Sequence, residues 1–306
     1  MRIIVAGMGV QGKKRLRVAG SDAVGTVDPV ADGVDFRRVE DIPLDTYDAA
    51  LCCVPDGAKP DLLYYLLSHG KHVLVEKPLF SPNPTILEEL KQLAESKNVV
   101  CYTAYNHRFE PHVKALKKIL DNRELGQVYL CKFFYGNGTA RDVRNSIWRD
   151  KDLGVISDLG SHLLDWTQFL FGKLDAEPKI WTADCFENHA YDYCMFNLHD
   201  QLLIEYEMTL LSWRNSFRLE LFAEFGTAHI DCLCKWGPST LTVRRRMLPS
   251  GRPDEHSETL VCADPTWEIE YQHFLQLCKK PSHNIDTDIW INSILGGFRQ
   301  KLGLAA

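Results

Sequence analysis

Hydrophobic positions in the first third of the chain fall into short runs separated by helical patterns. The β-branched runs predict strands near residues 2–6, 24–28, 49–54, 72–75 and 99–104. Between two of these runs, Leu87, Leu90 and Leu93 repeat at helical spacing, and we expect helices over 59–69 and 84–97. Strands that alternate with helices are typical of a parallel sheet covered on both faces. The pattern therefore predicts a doubly wound α/β domain.

The pattern changes after residue 122. Ile204, Tyr206 and Met208 alternate with two glutamates, which is the period-two pattern of a half-buried strand. Similar runs predict strands near residues 191–198, 202–210, 217–223, 228–233 and 240–247. Helices are expected over 152–171, 267–279 and 286–302. We therefore predict two domains, an α/β domain over 1–122 and an α+β domain over 123–306 with a large, mainly antiparallel open sheet.

Composition and charge narrow the class of protein. The 306 residues are 45% hydrophobic and 25% charged, as in ordinary globular proteins. A net charge of −6 argues against a nucleic-acid or membrane-surface partner, which would call for a basic face. The apolar run from Ile3 to Ala6 is too short for a signal sequence or a membrane span, so a cytoplasmic location is expected.

The ten cysteines form neither a C-x-x-C pair nor a zinc-like cluster with histidine. We interpret them as reduced thiols, mostly in strands and core, and expect no metal. Cys232 and Cys234 are predicted to share one face of a strand, but two soft ligands without a second pair make a poor metal site.

A glycine motif follows the first predicted strand. The segment from Gly7 to Gly12 has the pattern G-x-G-x-x-G and opens a helix, which is the context of a dinucleotide fingerprint. Gly7 would allow a tight turn, Gly9 a close approach to a pyrophosphate, and Gly12 close helix–strand packing. Val10 and Gln11 would begin the helix whose amide groups face the phosphates. The alternative is a simple glycine-rich turn.

Asp28 ends the second predicted strand, sixteen residues after Gly12. An acidic residue near this spacing binds the adenosine ribose, and its charge would repel a 2′-phosphate, favouring NAD over NADP. Two alternatives stay open. Asp28-Pro29 is also a common turn opener, and Arg37 or Arg38 could still admit the phosphate of NADP.

Glu76, Lys77 and Pro78 follow the fourth predicted strand, at the edge where open parallel sheets bind ligands. The Lys77 ammonium could bind and polarise a substrate hydroxyl, and a cis Lys77–Pro78 bond could set its direction. By itself, such a triplet is more often a solvated turn.

The predicted helix over 152–171 carries a second polar group. Asp158, His162 and Asp165 are spaced to share one helix face, and a histidine beside a carboxylate suits proton transfer. Gly160 is unfavourable inside a helix, which suggests that a missing side chain leaves room for a ligand there. The alternative is a solvated amphipathic helix.

Together these motifs resemble the glucose-fructose oxidoreductase and inositol dehydrogenase family, also called Gfo/Idh/MocA. The markers run along essentially the whole chain: Gly7-x-Gly9-x-x-Gly12, Glu76-Lys77-Pro78, Asn106-His107-Arg108-Phe109, Trp148-Arg149 and Asp158-x-x-x-His162-x-x-Asp165. The resemblance implies an NAD(P)-binding Rossmann domain and a second domain that binds substrate and forms the oligomer, so we expect a homodimer or homotetramer.

The resemblance also implies residue roles. Lys77 would contact the reacting oxygen, His162 would act as general acid and base, and Asp158 would bind substrate or relay the proton. Glu76, Lys77 and Asn106 would lie against the cofactor. The remaining expected substrate residues are Arg108, Trp148 and Arg149.

The resemblance predicts an NAD-dependent oxidoreductase, with NADP not excluded, that acts on a hydroxyl or keto carbon of a sugar-type substrate. One form is a nucleotide-sugar 3-dehydrogenase acting on a UDP-N-acetylglucosamine-like compound, whose diphosphate would meet Arg108, Arg141, Arg144 and Arg149. Inositol or free-sugar dehydrogenases and keto-sugar reductases stay open. So does an NAD-dependent glycosidase. A non-catalytic NAD-binding regulator would be expected to lack Lys77 or His162.

Overall fold

The computed structural model describes residues 1–146 and 149–304. This part of the chain forms two compact units, the first Met1–Asn106 with Thr266–Ser293 and the second His107–Pro265 with Ile294–Ala306. Each unit contains its own sheet. In the part described, no helix combines the length and apolar character needed to cross a membrane.

The sheet of the first unit is parallel. Its strands are β1 (Ile3–Ala6), β2 (Ala23–Val27), β3 (Ala49–Cys52), β4 (His72–Glu76) and β5 (Cys101–Ala104). They lie in the order β2-β1-β3-β4-β5, so the winding direction reverses between β1 and β3. Ile3, Ile4 and Val5 have no exposed surface because both faces are covered, which explains their continuous apolar run. Ligands of open parallel sheets bind at such reversal points.

The helices account for most of the remaining regular structure. They are α1 (Val10–Ala19), α2 (Lys59–Ser68), α3 (Thr85–Lys97), α4 (Pro111–Asp121), α5 (Ala140–Arg144), α6 (Val155–Asp158), α7 (Gly160–Phe171), α8 (Thr266–Lys279) and α9 (Ile285–Lys301). In the first unit, α2 and α3 pack on one face of the sheet, whereas α1 and α8 pack on the other.

The bounds of the two units differ from the predicted division at residue 122. Residues 107–122 lie in the second unit, and α8 lies in the first. Tyr271, Phe274 and Cys278 of α8 bury their side chains in the same core as Ile3 and Val5 of β1. A helix from the end of the chain thus completes the first unit, which the hydrophobic pattern along the sequence does not reveal.

The second unit has an eight-stranded sheet. Its strands are β6 (Val128–Gly136), β7 (Lys179–Asp184), β8 (Tyr193–His199), β9 (Leu203–Thr209), β10 (Ser216–Ala223), β11 (Gly226–Asp231), β12 (Ser239–Arg245) and β13 (Asp254–Leu260). The order is β13-β12-β11-β10-β6-β9-β8-β7, with only the β6–β9 pair parallel among the strands described. Ile204, Tyr206 and Met208 are buried. The predicted fold class, a Rossmann domain with a mainly antiparallel second domain, is confirmed.

Three strands lie outside the ranges predicted as strands. They are β6, in the middle of the sheet, β7 and β13. Of these, β13 is an edge strand whose residues are exposed from Asp254 to Thr259. It pairs with β12 along its whole length, and Nε of Arg244 lies 2.6 Å from Oε2 of Glu255 across the two strands.

The prediction of one continuous helix over 152–171 is wrong. The segment forms two helices, α6 and α7, which are separated at Leu159. Gly160 begins α7, and a Cβ placed on it would lie 3.1 Å from Sδ of Met208. The missing side chain therefore serves close packing of α7 against β9, and the predicted space for a ligand at Gly160 is filled by protein.

All ten cysteines are free thiols. The predicted strand position of Cys232 and Cys234 is wrong, because β11 ends at Asp231. Cys232 has a positive φ of 66°, and Cys234 begins a short 3₁₀ turn, Cys234–Trp236. The two cysteines therefore do not lie on one face of a strand.

Candidate functional site

The glycine-rich loop joins β1 to α1. Gly7 has a φ of +90°, and a Cβ there would lie 2.4 Å from the carbonyl oxygen of Cys53. A Cβ on Gly12 would lie 1.8 Å from the carbonyl oxygen of Gly7, whereas one on Gly9 would have no atom within 4 Å. The loop is closed towards the protein at Gly7 and Gly12 and open at Gly9. This is the shape that close approach of a pyrophosphate requires.

The first turn of α1 adds donors to this loop. Gly9 is the N-terminal cap and makes no side-chain capping bond. Val10 is 73% exposed and Gln11 is also exposed. Amide groups in the first turn of a helix have no acceptor within the helix, and the dipole favours an anion there. The residues present therefore fit the phosphates of a dinucleotide.

Asp28 follows β2 and is largely buried. Its Oδ2 accepts a hydrogen bond from the amide of Met8 at 2.7 Å, and its Oδ1 accepts from the amides of Val30 and Ala31 at 2.9 and 2.8 Å. Burial opposes ionisation, but these bonds outweigh it and lower the pKa of Asp28. Asp28 therefore stabilises the turn that follows it, as the turn-opening alternative proposed. A carboxylate has about four lone-pair positions, so one remains for a ribose hydroxyl.

Glu76 ends β4 and belongs to a buried ion network. Its Oε1 accepts from Nε of Arg15 at 2.6 Å, and Nη2 of Arg15 lies 2.7 Å from Oε2 of Glu270. Burial alone would lower the pKa of Arg15, but the two carboxylates raise it. Glu76 therefore holds α1 in place, in addition to its predicted contact with the cofactor.

Lys77 and Asn106 lie after β4 and β5. The Lys77–Pro78 bond is cis, and Lys77 is partly buried. Nδ2 of Asn106 donates to Oγ1 of Thr266 at 2.7 Å. Because the carboxyl ends of parallel strands lie at one edge of a sheet, the expected cofactor residues of this unit are brought to the same edge.

In the second unit, Asp158 lies at the end of α6. Nη2 of Arg149 donates to its Oδ2 at 3.2 Å, and both side chains are partly exposed. The structure therefore brings together two of the expected substrate residues. Trp148, also expected to bind substrate, lies outside the described residues.

His162 is buried in the first turns of α7. Its ring lies against that of His107, with centroids 3.9 Å apart and planes inclined by 26°. His107 belongs to the 3₁₀ turn Asn106–Phe109, and its carbonyl oxygen accepts from Nε1 of Trp166 at 2.9 Å. The expected catalytic histidine is thus one of a stacked pair, and the solvated-helix alternative is wrong.

Lys235 contacts a ring nitrogen of His107. Its Nζ is 2.7 Å from Nε2 of His107 and 3.3 Å from the hydroxyl of Tyr135. Burial is the main cause of the raised pKa of Tyr135, and the nearby charges of Asp158 and Glu110 add to it. The phenol is therefore neutral at physiological pH.

The partly buried Arg108 pairs with the buried Asp165. Nε of Arg108 donates to both carboxylate oxygens, at 2.9 and 2.8 Å, and Nη2 lies 2.6 Å from Oδ1. Burial raises the pKa of Asp165, and the guanidinium opposes that rise. Asp165 thus binds Arg108 instead of extending the predicted polar face of Asp158 and His162.

One group of potential metal ligands occurs in the described residues. The ligand atoms of Glu110, Cys234 and Asp264 lie within 4.8 Å of one another. Oε2 of Glu110 accepts from the amide of Cys234 at 3.2 Å. Burial raises the pKa of Glu110. The absence of a metal stays a prediction.

Sequence reasoning did not assign roles to several residues that surround the predicted ones. His107 belongs to the family motif Asn106-His107-Arg108-Phe109, which could have indicated a role for it. Lys235, Tyr135 and Arg15 belong to no motif, because each reaches its partner only through the tertiary fold.

A doubly wound sheet with a dinucleotide-type loop, joined to a second unit with a large open sheet, defines an NAD-binding oxidoreductase class. The chain belongs to the GFO/IDH/MocA family. A model for the oxidoreductase family with an NAD-binding Rossmann fold matches residues 1–105, and the GFO/IDH/MocA C-terminal domain matches residues 113–229. Family membership and an NAD-binding first domain are therefore confirmed.

Similar proteins include glucose-6-phosphate 3-dehydrogenase of Bacillus subtilis, which is 30% identical over 147 residues, 45% of this chain and 41% of the relative. Inositol 2-dehydrogenase of Rhodococcus jostii is 28% identical over 190 residues, 56% of this chain and 50% of the relative. The chain thus spans half the length or less of these curated relatives.

Solved structures share the fold over nearly the whole chain. Levoglucosan dehydrogenase, in complex with NADH and levoglucosan, has a TM-score of 0.84 at 14% identity, covering 99% of this chain and 97% of that one. An NAD-binding oxidoreductase from Klebsiella pneumoniae has a TM-score of 0.81 at 18% identity, covering 97% and 95%. At such identities the likeness establishes the fold alone.

Proposed function

We propose that this protein is an NAD-dependent dehydrogenase that converts a secondary alcohol of a sugar or cyclitol to a ketone, and the reverse. The observation that carries the proposal is the loop from Gly7 to Gly12, closed against the protein at both ends and open at Gly9. Such a loop at a helix N-terminus is suited to the pyrophosphate of a dinucleotide.

The chemistry divides between a few side chains of this chain. When bound, the nicotinamide supplies the acceptor for the hydride that leaves the alcohol carbon. We assign to Lys77 a hydrogen bond to the alcohol oxygen, which stabilises developing negative charge. His162 takes the hydroxyl proton, and Asp158 binds a neighbouring hydroxyl. In the oxidative direction, one hydride and one proton leave the substrate, and a carbon–oxygen double bond forms.

An uncharged sugar or cyclitol fits the arginines best. Arg108 is bonded to Asp165, Arg149 to Asp158, and Nη1 of Arg144 donates to the carbonyl oxygen of Glu187 at 2.9 Å. Three members of the expected diphosphate-binding set therefore already have acceptors within the chain. The relative named for inositol favours an uncharged cyclitol by analogy, whereas the one named for glucose 6-phosphate favours a charged sugar.

A nucleotide sugar is the second candidate, and one observation favours it. Trp213 is 85% exposed, and the guanidinium carbon of Arg141 lies 5.8 Å from its ring centroid. An exposed indole beside an arginine offers a stacking surface for a base and a cation for a phosphate. A Trp213→Ala variant would raise the KM for a nucleotide sugar but not for a free cyclitol.

The test is reduced-nicotinamide absorbance after the protein is mixed with NAD and one substrate. The panel contains myo-inositol, scyllo-inositol, glucose, glucose 6-phosphate, UDP-N-acetylglucosamine and its uronic acid. NADP replaces NAD in a parallel series. Mildly alkaline pH favours oxidation, which releases a proton. Lys77→Ala is the inactive variant, and Lys280→Ala, an exposed lysine in the same unit, is the matched control.

A signal that Lys77→Ala abolishes and Lys280→Ala keeps supports the proposal and identifies the substrate class. Silence with every alcohol, and with the corresponding ketones and NADH, contradicts it. Glycoside cleavage without net NADH production would establish the glycosidase alternative instead.

A further inference from the structure

A continuous row of polar side chains lies beside the ring of His162. The rings of His162 and His107 are stacked at 3.9 Å. Nε2 of His107 is 2.7 Å from Nζ of Lys235, which also lies 3.3 Å from the hydroxyl of Tyr135. His107 is 3% exposed and His162 is 7% exposed, so little water screens the row. All four residues belong to the second unit.

The contact between Lys235 and His107 limits where protons can reside. A lysine ammonium can only donate a hydrogen bond, so Nε2 of His107 must then be its acceptor. A ring that accepts at Nε2 carries its proton on Nδ1 and is neutral. A charged His107 would place two cations 2.7 Å apart, which the low exposure of His107 makes unfavourable. Lys235 and His107 together therefore carry one positive charge, not two.

The charge of His107 affects protonation of His162, because the two rings are stacked. If His107 were charged, a proton on His162 would place a second positive charge on the adjacent ring, which is unfavourable. A neutral His107 removes that repulsion, and its flat face supports the His162 ring. The hydrogen bond from Nε1 of Trp166 to the carbonyl oxygen of His107 holds its backbone, and the stacking on His162 holds its ring plane.

We propose that Lys235 is a positioning residue that keeps His107 neutral, so that His162 is the ring of the stacked pair that takes the proton. This inference rests on the proposed role of His162 as proton acceptor. Lys235 acts through His107 and does not touch the substrate.

Several other groups face this pair and enter the charge balance. Tyr135 on β6 stays a neutral phenol because burial raises its pKa. Arg108 and Arg149 are each paired with a carboxylate, as described above. Within the described residues, the charged or titratable groups connected to the two rings include Lys235, Tyr135, and Asp158 and Glu110, whose charges act on Tyr135.

The first test is a pH titration of the histidine rings by NMR in protein labelled at histidine ¹³Cε1. His107→Gln and His162→Gln identify the two signals, and the exposed His256 is an internal reference. In the wild type, we expect His162 to titrate while His107 stays neutral. Titration of His107 before His162 would overturn the proposal, and this arm needs no substituted lysine.

The second test removes the ammonium. In Lys235→Met, the stacked pair should take up its first proton about one pH unit higher, because a nearby cation no longer opposes it, and His107 should now share that proton. Lys235→Arg keeps the charge and should restore the wild-type titration. Lys132→Met is the matched control, since Lys132 pairs with Glu205 on the sheet of the same unit. An unchanged midpoint in Lys235→Met contradicts the inference.

Kinetics supply a separate readout. For alcohol oxidation, the acid limb of kcat/KM should move up by about one pH unit in Lys235→Met and stay in place in Lys235→Arg and Lys132→Met. The NMR titration decides the inference even if no substrate is found. Conversely, full activity of His162→Ala would remove the proposed role of His162 while leaving the measured proton balance intact.

Discussion

Arg15 and Glu270 form a buried ion pair in which Nη2 lies 2.7 Å from Oε2, although the two residues come from opposite ends of the chain. Arg15 is on α1, directly after the glycine loop, and Glu270 is on α8. The pair therefore joins the dinucleotide-type helix to a segment that the sequence pattern assigned to another domain. The first unit needs both ends of the chain.

Removing one partner of this pair should destabilise the protein strongly. In Glu270→Gln, the buried Arg15 keeps only Glu76 as its carboxylate partner, and we expect the free energy of unfolding to fall by about 3–5 kcal/mol. Urea unfolding followed by circular dichroism measures the change. Glu40→Gln, in the exposed pair with Arg38, should change stability by less than about 1 kcal/mol. Equal effects in the two variants would contradict the structural role of Glu270.

Two glycine substitutions should separate cofactor binding from stability. Gly9→Ala meets no protein atom within 4 Å, so the fold should keep its stability while the affinity for NAD falls at least about tenfold. Gly12→Ala brings a Cβ to 1.8 Å from the carbonyl oxygen of Gly7 and should lower the melting temperature as well. Calorimetry and NAD titration measure both properties.

The matched control is Gly57→Ala, which also has open space around its Cβ but lies outside the glycine loop. It should keep both stability and NAD affinity. Unchanged NAD binding by Gly9→Ala would remove the loop from the cofactor site.

The turn at Asp28 predicts a pH-dependent contribution to stability. Because the pKa of Asp28 is lowered in the folded state, its carboxylate stabilises the fold above the ordinary value of about 4. That stabilisation is lost as the pH falls through the lowered folded-state pKa. Asp28→Asn should therefore cost about 1–2 kcal/mol at pH 6, and the difference from wild type should shrink below pH 4. Urea unfolding across this pH range checks the sign, and a constant difference would contradict it.

Substitution of the proposed proton acceptor should affect turnover rather than cofactor binding. His162→Ala should lower kcat by about 10²–10⁴-fold, because a positioned acid–base group is lost. Its affinity for NAD should stay within about twofold of wild type, since His162 belongs to the second unit and the glycine loop to the first. Steady-state kinetics and fluorescence titration measure the two quantities, with the exposed His256→Ala as control. A fall in NAD affinity as large as the fall in turnover would argue for a structural role.

Much of the fold was predictable because local patterns report burial. The apolar runs of β1 to β5 and the alternation through Ile204, Tyr206 and Met208 required no tertiary information. The edge strand β13 was not predictable, because its residues are exposed and only their backbone pairing with β12 defines the strand. The residue at which α6 ends and α7 begins was not predicted either.

The candidate site divides in the same way. Glycine spacing, the Glu76-Lys77-Pro78 triplet and the pair Asp158 and His162 can be read from the chain, because chemistry restricts the residue types at those positions. Their protein partners cannot. Whether Asp28 caps a turn and whether Arg108 is neutralised by Asp165 are decided by contacts between distant segments.

The sequence by itself determined the family, the fold class and the residues with suitable chemistry, since these depend on local pattern and residue type. Only the tertiary structure decided that Lys235 contacts His107, that His107 stacks on His162, and that α8 completes the first unit. The physical reason is that hydrogen bonds, ring stacking and burial depend on distance in space, which separation along the chain does not encode.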